Sequence, residues 1–166
     1  MAIVFFKRLG WFWLLVFIQV LVLNHVHLMG YAMPFLYVYL ILVLNINVSR
    51  NILLLWGFFL GLAVDIFSNT PGMNAAATTF LAFTRPSILR LFTPRDCAED
   101  MEPGIRSMGF WLFFRYVLVE VALHHTVLLT IESFSFFNLG FLFLEILSSV
   151  LLTTFCVMAI EGIRKK

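Results

Sequence analysis

The chain has 166 residues, of which 62% are hydrophobic and only 12% are charged, and its mean hydropathy is +1.00. Soluble domains are about 45–50% apolar and about 25% charged, so the composition is typical of a multi-pass membrane protein and predicts a single membrane domain over residues 1–166. The small excess of Lys and Arg over Asp and Glu, 11 against 9, indicates no nucleic-acid partner. Two cysteines, Cys97 and Cys156, lie far apart without a nearby His, so neither a disulfide nor a metal site is expected.

Apolar segments follow one another along the whole chain, separated by short stretches rich in Pro, Gly, Asn or charge. A spanning helix needs about 20 predominantly apolar residues; the second segment is short, and the third is only just long enough. Pro86 is expected to kink or end the fourth helix. The pattern predicts an all-α fold of six transmembrane helices, over residues of about 9–29, 34–48, 52–67, 72–92, 107–131 and 138–160, with a cytoplasmic loop over 93–106.

The positive residues predict how these helices are oriented. They cluster at the N-terminus, at Arg50, in the stretch from Arg85 to Arg106, and at the C-terminus. With six helices, these places all lie on one side of the membrane, Arg85 and Arg90 at the end of the fourth helix, and only Arg115 lies inside the membrane part of a helix. Cytoplasmic loops carry the excess of Lys and Arg, so both termini are expected in the cytoplasm.

The stretch from Gly61 to Thr79 is predicted to form a tight helical hairpin. Asp65 is a lone carboxylate at the end of an apolar helix, where it needs a partner or a water-filled site. Small residues on either side of the turn let neighbouring helices approach closely. The residues predicted to pack this hairpin are Gly57, Gly61, Pro71, Gly72 and Ala76.

Several ionisable residues are predicted to gather in the outer half of the membrane. Glu120 and His124 share one helix face because they are four residues apart. Such a cluster could be a proton relay, a metal site or a ligand site; because no metal-ligand spacing accompanies it, interhelical hydrogen bonding is the favoured interpretation. One specific hypothesis is that Asp65 pairs with His124 or His125. The predicted cluster consists of Asp65, Glu120, His124, His125 and Glu145.

Arg85, Arg90 and Arg95 are predicted to lie near the cytoplasmic surface. They could contact anionic lipid headgroups or an acidic partner, or simply anchor the chain by the positive-inside rule. The sequence has no nucleophile elbow, no Cys–His pair and no phosphate-binding glycine loop. No enzymatic activity, catalytic residue, metal or cofactor is therefore expected.

Three motifs in the sequence are distinctive. The first is Gly61-Leu-Ala-Val-Asp65 with Pro71-Gly72, and the second is Arg85-Pro86-x-x-Leu89-Arg90-Leu91 with Pro94-Arg95-Asp96. The third is His124-His125 followed by Glu132-x-Phe134-Ser135-Phe136. In these motifs, and in its size and six predicted helices, the chain resembles the rod-shape-determining protein MreD family. It departs from similar sequences after Arg95-Asp96, where it has Cys97-Ala98 and they tend to have Gly-Tyr.

The resemblance implies a non-enzymatic scaffold of the bacterial cell-elongation complex, located in the inner (cytoplasmic) membrane. It implies binding to an MreC-like periplasmic scaffold, an MreB-like filament and the wall glycosyltransferase and transpeptidase, through small-residue helix faces and the basic cytoplasmic edge. The implied fold is similar to that of the substrate-binding component of energy-coupling-factor transporters. That similarity gives an alternative function, the substrate-binding subunit of a vitamin transporter, which the short outer turns disfavour.

Overall fold

The computed structural model describes residues 2–25, 32–93, 101–133 and 139–164. The regular secondary structure in these ranges is helical and includes no strand, so the all-α prediction is confirmed for them. Two 3-10 turns, Leu23–His25 and Leu36–Val38, accompany the α-helices. The helices are α1 (Ala2–Leu21), α2 (Tyr39–Leu42), α3 (Arg50–Ser68), α4 (Met73–Phe92), α5 (Ile105–Met108), α6 (Phe110–Ser133) and α7 (Leu139–Arg164).

Three helices in the described part of the chain, α3, α6 and α7, are long and apolar enough to cross a membrane. They carry large apolar side chains on their outer faces, such as Phe59, Trp111 and Phe155, which are 55%, 69% and 72% exposed. Contiguous apolar surface of this kind is rare on soluble proteins. These features indicate a membrane protein.

The chain passes through one bundle in alternating directions: α1, α3 and α6 run toward one end, and residues 32–48, α4 and α7 run toward the other. At one end, here called the hairpin end, Asn24 follows α1 and donates a 2.6 Å hydrogen bond to Ser68 at the end of α3. The opposite end, here called the basic end, contains both Arg8 and Arg164, which line the same cavity. The N-terminal part of α1 and the C-terminus of α7 therefore lie at the same end of the bundle.

The main departure from the predicted helices is residues 34–48. Only the 3-10 turn and the short α2 are helical there, so the expected helix over 34–48 is wrong in extent. Every residue from 34 to 42 is buried, because the segment runs through the middle of the bundle instead of facing lipid. Residues 32–48 are called the crossing segment below.

The other helices differ from prediction mainly at their ends. Both α3 and α4 begin and end within two residues of the predicted segments, whereas α7 continues to Arg164. Gly109, with φ of +79°, separates α5 from α6. Residues 26–31 at the end of the predicted first helix, and 94–100 in the predicted cytoplasmic loop, lie outside the described residues.

The expected stop or kink at Pro86 does not end α4, which continues to Phe92. A proline removes one backbone hydrogen bond and costs a helix interior about 3 kcal/mol. Buried side chains lie on both sides of it, Leu81 and Ala82 before and Leu89 after. Their packing against the rest of the bundle holds α4 together.

Candidate functional site

Asp65 is held by the beginning of α4. The carboxylate is 3% exposed, and its Oδ1 accepts hydrogen bonds from Thr70 Oγ1 (2.8 Å), Asn74 N (3.0 Å) and Asn74 Nδ2 (3.0 Å). Its Oδ2 accepts from the backbone N–H of Ala75 at 2.8 Å. The backbone donors belong to the first turn of α4, where N–H groups lack helical partners and the helix dipole favours negative charge. The expected pairing of Asp65 with His124 or His125 is therefore wrong.

A chain of hydrogen bonds nevertheless connects Asp65 to His124. The Tyr37 hydroxyl donates to Asn74 Oδ1 at 2.8 Å and lies 3.1 Å from His124 Nε2. Asp65, Asn74, Tyr37 and His124 are all buried; together they are called the central network. It joins α3, α4, the crossing segment and α6, because each of the four residues belongs to a different one of them.

The central network assigns the tautomer of His124. Since the proton of the Tyr37 hydroxyl goes to Asn74, the hydroxyl oxygen accepts from a protonated Nε2 of His124. Nδ1 then carries no proton in the neutral ring. This buried atom has no hydrogen-bond partner among the described residues.

His125 uses its ring for a different contact. Its Nδ1 donates to the carbonyl of Val121 at 2.8 Å, and its Nε2 lies 3.1 Å from Thr153 Oγ1. The same Thr153 hydroxyl accepts the backbone N–H of Phe35 at 3.0 Å, so its own proton is free to go to Nε2. The two adjacent histidines thus have opposite tautomers, and both hold the crossing segment.

The non-helical backbone of the crossing segment is satisfied by side chains. Gln19 Oε1 accepts from Leu36 N at 2.8 Å, and Gln19 Nε2 donates to the Pro34 carbonyl at 3.0 Å. Ser149 Oγ accepts from Met33 N at 3.1 Å. At membrane depth no water satisfies such groups, so irregular backbone occurs only where protein supplies the partners. These polar side chains explain how the crossing segment can lie inside the bundle.

Two predicted members of the polar cluster lie apart from the central network. Glu120 is fully buried on α6, where its Oε2 accepts from Thr84 Oγ1 at 3.3 Å. Its Oε1 has no partner in the part of the chain that the structure describes. Glu145 is half-buried on α7 and belongs to none of the hydrogen-bond chains described above. The predicted cluster is therefore divided: the described hydrogen bonds connect Asp65 to His124, and the His124 and His125 rings are in contact with their centroids 5.4 Å apart.

The arginines at the basic end have different environments. Arg85 is 2% exposed, and its Nη2 donates to the carbonyls of Leu42 and Leu44. Tyr116 also donates to the Leu42 carbonyl, at 3.1 Å. These donors hold the end of α2, so Arg85 has a structural contact that the charge pattern did not predict. Arg90 is exposed, and Arg95 lies outside the described residues.

A second set of hydrogen-bonded polar side chains lies at the basic end. The Tyr39 hydroxyl donates to Glu161 Oε2 at 2.6 Å and accepts from Arg164 Nη1 at 3.3 Å. Arg164 Nη2 also forms a 2.7 Å ion pair with Glu102 Oε2. These contacts attach the crossing segment and the connection before α5 to the end of α7.

Two of the glycines predicted to pack the hairpin make contacts between helices of this chain. A Cβ on Gly57 would lie 2.8 Å from both Ala82 Cβ and Thr78 O, and a Cβ on Gly61 would overlap the backbone of Asn74 and Ala75. Both glycines therefore let α3 pack directly on α4, and their face is covered. Gly72 precedes α4 with φ of +81°. Pro71, Gly72 and Ala76 are exposed at or near the turn.

Two of the cavities lie at opposite ends of the bundle. The hairpin-end cavity has a volume of about 190 Å³ and is lined by polar side chains that include Gln19, Asn24 and Asn74. The other, called the basic-end cavity below, has a volume of about 510 Å³, is lined by Arg50 and Arg85 among others, and is separate from the cavity between Arg8 and Arg164. Within the described ranges, no three His, Cys, Asp or Glu side chains are grouped to hold a metal ion.

Sequence reasoning did not identify Gln19, Tyr37, Asn74 or Thr153 as site residues. Gln19 had a detectable signal, because it is the one polar side chain in the apolar run from Leu9 to Leu23 that is not aromatic. Tyr37 and Thr153 had none, since their main partners come from distant elements. Asn74 bonds mainly across the hairpin to Asp65 and Thr70.

Comparison with known proteins gave no relative: no family model, no curated protein and no solved structure matches this chain.

Proposed function

We propose that the chain is a non-enzymatic membrane scaffold of the bacterial cell-elongation complex, as its resemblance to the MreD family implies. The strongest support comes from the hydrogen bonds formed by the three motifs in which the chain resembles that family. Asp65 receives the start of α4, Arg85 holds the end of α2, and His124 and His125 contact residues that fix the crossing segment. Each motif thus contributes to a rigid bundle, which suits a protein whose task is to bind and position others.

Partner proteins would bind the outward helix faces. The Gly57 and Gly61 face is covered by α4, so it is not a surface for another chain. Among the three spanning helices, α7 buries the smallest share of its length. Its exposed side chains Leu144, Leu147, Leu151 and Phe155 follow helical spacing, so this face is open to lipid or to the helix of a partner.

The proposed location is the bacterial inner membrane, with the basic end in the cytoplasm. Arg50, Arg90, Arg106 and Arg164 belong to helix ends or connections on that side of the bundle, and Arg8 and Arg85 lie further inside α1 and α4. The turn between α3 and α4 at the hairpin end carries no Lys or Arg. The positive-inside rule then orients the basic end toward an MreB-like filament and the hairpin end toward an MreC-like scaffold and the wall glycosyltransferase and transpeptidase.

The substrate-binding subunit of an energy-coupling-factor transporter is the second candidate function. The hairpin-end cavity favours it, because polar side chains line a space at the proposed outer surface. At about 190 Å³, however, it is smaller than the roughly 300–1,000 Å³ of ordinary ligand sites. Its Asn24 and Asn74 side chains already bond to Ser68 and Asp65, so a ligand would have to replace those contacts.

Affinity purification of the full chain from its own membranes in a mild detergent tests the two functions. For a scaffold, mass spectrometry identifies an MreC-like protein and wall-synthesis enzymes above a control purification with an unrelated multi-pass protein. Co-purification of an ATPase pair with a coupling protein, without wall-synthesis enzymes, contradicts the scaffold and supports the transporter subunit.

A further inference from the structure

The basic-end cavity combines positive charge with apolar walls. Arg50, Arg85 and Arg90 line it together with the hydroxyl residues Ser87 and Thr93. Among the residues that the structure describes, the rest of the lining is apolar and none of it is acidic: Ile46, Val48, Leu53, Phe83, Pro86 and Leu89. A cavity of about 510 Å³ with this lining fits a ligand that is anionic at one end and apolar at the other.

The buried arginine gives the cavity a charge that the described chain does not neutralise by a direct ion pair. Arg85 is 2% exposed, and its hydrogen bonds go to the neutral carbonyls of Leu42 and Leu44. Its Nε has no hydrogen-bond partner within the described ranges. Glu120 on α6 acts on Arg85 electrostatically, but no ion pair joins these two described residues. Buried charges are normally paired and buried donors normally bonded, so an anion at this cavity would supply the direct partner that Arg85 Nε lacks.

The apolar side of the cavity continues onto the outer surface of the bundle. Phe83 lines the cavity and is 51% exposed, and the Arg50 guanidinium lies over its ring at 4.4 Å. An acyl chain can therefore lie on the exposed Phe83 ring while its headgroup reaches the arginines.

We propose that this cavity binds the phosphate headgroup of an anionic membrane lipid through Arg50, Arg85 and Arg90. Basic pockets between membrane helices on the cytoplasmic side bind phosphate headgroups by the same chemistry, and a guanidinium can bind phosphate through two parallel hydrogen bonds. The inference rests on the membrane location of the chain and not on the scaffold function. A soluble phosphate shares the headgroup chemistry, and the experiment separates the two sources.

Native mass spectrometry of the purified full chain tests the proposal with phosphatidylglycerol, phosphatidylcholine and inorganic phosphate as probes. We expect phosphatidylglycerol to bind more tightly than phosphatidylcholine. Each basic side chain at a lipid surface contributes roughly fivefold in affinity. In the Arg50→Gln/Arg90→Gln variant the Kd for phosphatidylglycerol should therefore rise about tenfold to thirtyfold. Arg85 is left intact because its substitution would also release the Leu42 and Leu44 carbonyls.

The matched control is Arg106→Gln/Arg115→Gln, which removes the same charge from exposed positions outside the cavity. It should bind phosphatidylglycerol like the unmodified chain, and thermal unfolding should be the same for both double variants. Equal binding of the two lipids, or an equal loss in both double variants, overturns the proposal. So does displacement of phosphatidylglycerol by millimolar inorganic phosphate, which assigns the cavity to a soluble phosphate. The Arg50→Gln/Arg90→Gln variant could instead bind lipid normally and lose an acidic protein that co-purifies with the unmodified chain. That result would overturn the proposal and assign the cavity to the acidic protein.

Discussion

The hydroxyl of Tyr37 donates a 2.8 Å hydrogen bond to Oδ1 of Asn74, and both side chains are buried. This bond joins the crossing segment to α4 at the point where Asn74 also contacts Asp65. The central network therefore depends on one hydroxyl group. The backbone of the segment has its own polar partners in Gln19, Ser149 and Thr153, so it can leave the helical conformation where lipid would supply none.

Replacing Tyr37 with Phe should destabilise the bundle by about 1–3 kcal/mol, because Asn74 loses a donor and His124 loses an acceptor while both remain buried. Thermal unfolding of the purified chain in detergent measures the change. Thr126→Val is the control, since Thr126 is exposed and its hydroxyl, within the described ranges, bonds to the Ala122 carbonyl of its own helix. Equal midpoints for Tyr37→Phe and the unmodified chain would show that the central network does not stabilise the fold.

Replacing Asp65 with Asn should destabilise the hairpin by about 1–3 kcal/mol. The amide keeps only one acceptor oxygen for the four hydrogen bonds that the carboxylate receives, and it removes the charge at the start of α4. Protease resistance of the turn between α3 and α4 and the unfolding midpoint report the change. Glu145→Gln, at a half-buried acid outside the central network, should have little effect; an Asp65→Asn variant as stable as this control contradicts the role given to Asp65.

Replacing Gly61 with Ala should force α3 away from α4, since the added methyl group meets backbone that cannot rotate aside. Overpacking of this kind costs about 1–3 kcal/mol. Gly162→Ala is the control, because nothing lies within 4 Å of its added Cβ and Ala favours a helix over Gly by about 1 kcal/mol. Unfolding midpoints that move in opposite directions support the packing; a Gly61→Ala variant as stable as Gly162→Ala refutes it.

Replacing Arg85 with Lys should loosen the crossing segment near α2. A guanidinium reaches the Leu42 and Leu44 carbonyls together, whereas an ammonium is a compact charge with different geometry. Hydrogen exchange of peptides that cover residues 42–48 should be faster in Arg85→Lys and unchanged in Arg90→Lys, where the side chain is exposed. Identical exchange in the two variants would mean that Arg85 does not hold this backbone.

The two ends of the bundle should lie on opposite sides of the membrane. In a chain carrying Cys97→Ser and Cys156→Ser, an impermeant maleimide should label Pro71→Cys from outside intact spheroplasts. It should label Ser107→Cys only after permeabilisation, because the positive-inside rule places the basic end in the cytoplasm. Both positions are exposed, and neither substitution changes charge. Labelling of Ser107→Cys in intact spheroplasts contradicts the orientation.

The sequence predicted helix ends well where turn residues are explicit, as between α3 and α4, where Pro71 and Gly72 separate two apolar runs. It failed at the crossing segment, because an apolar stretch buried in protein and one facing lipid have the same hydropathy. It also failed to find the partners of Asp65. Two of these are backbone N–H groups of Asn74 and Ala75, and a sequence pattern of side chains carries no record of such donors.

The central claim, that the chain is a scaffold for cell elongation, is tested most directly by depleting it in its own bacterium. Cell width and the sites of new wall insertion are then followed by microscopy. We expect rod-shaped cells to become round and wall insertion to become dispersed, with shape restored by the unmodified chain and less well by Gly61→Ala at an equal protein level. Cells that keep their shape and their pattern of wall insertion, and instead lose uptake of a vitamin, would contradict the scaffold and support the transporter subunit.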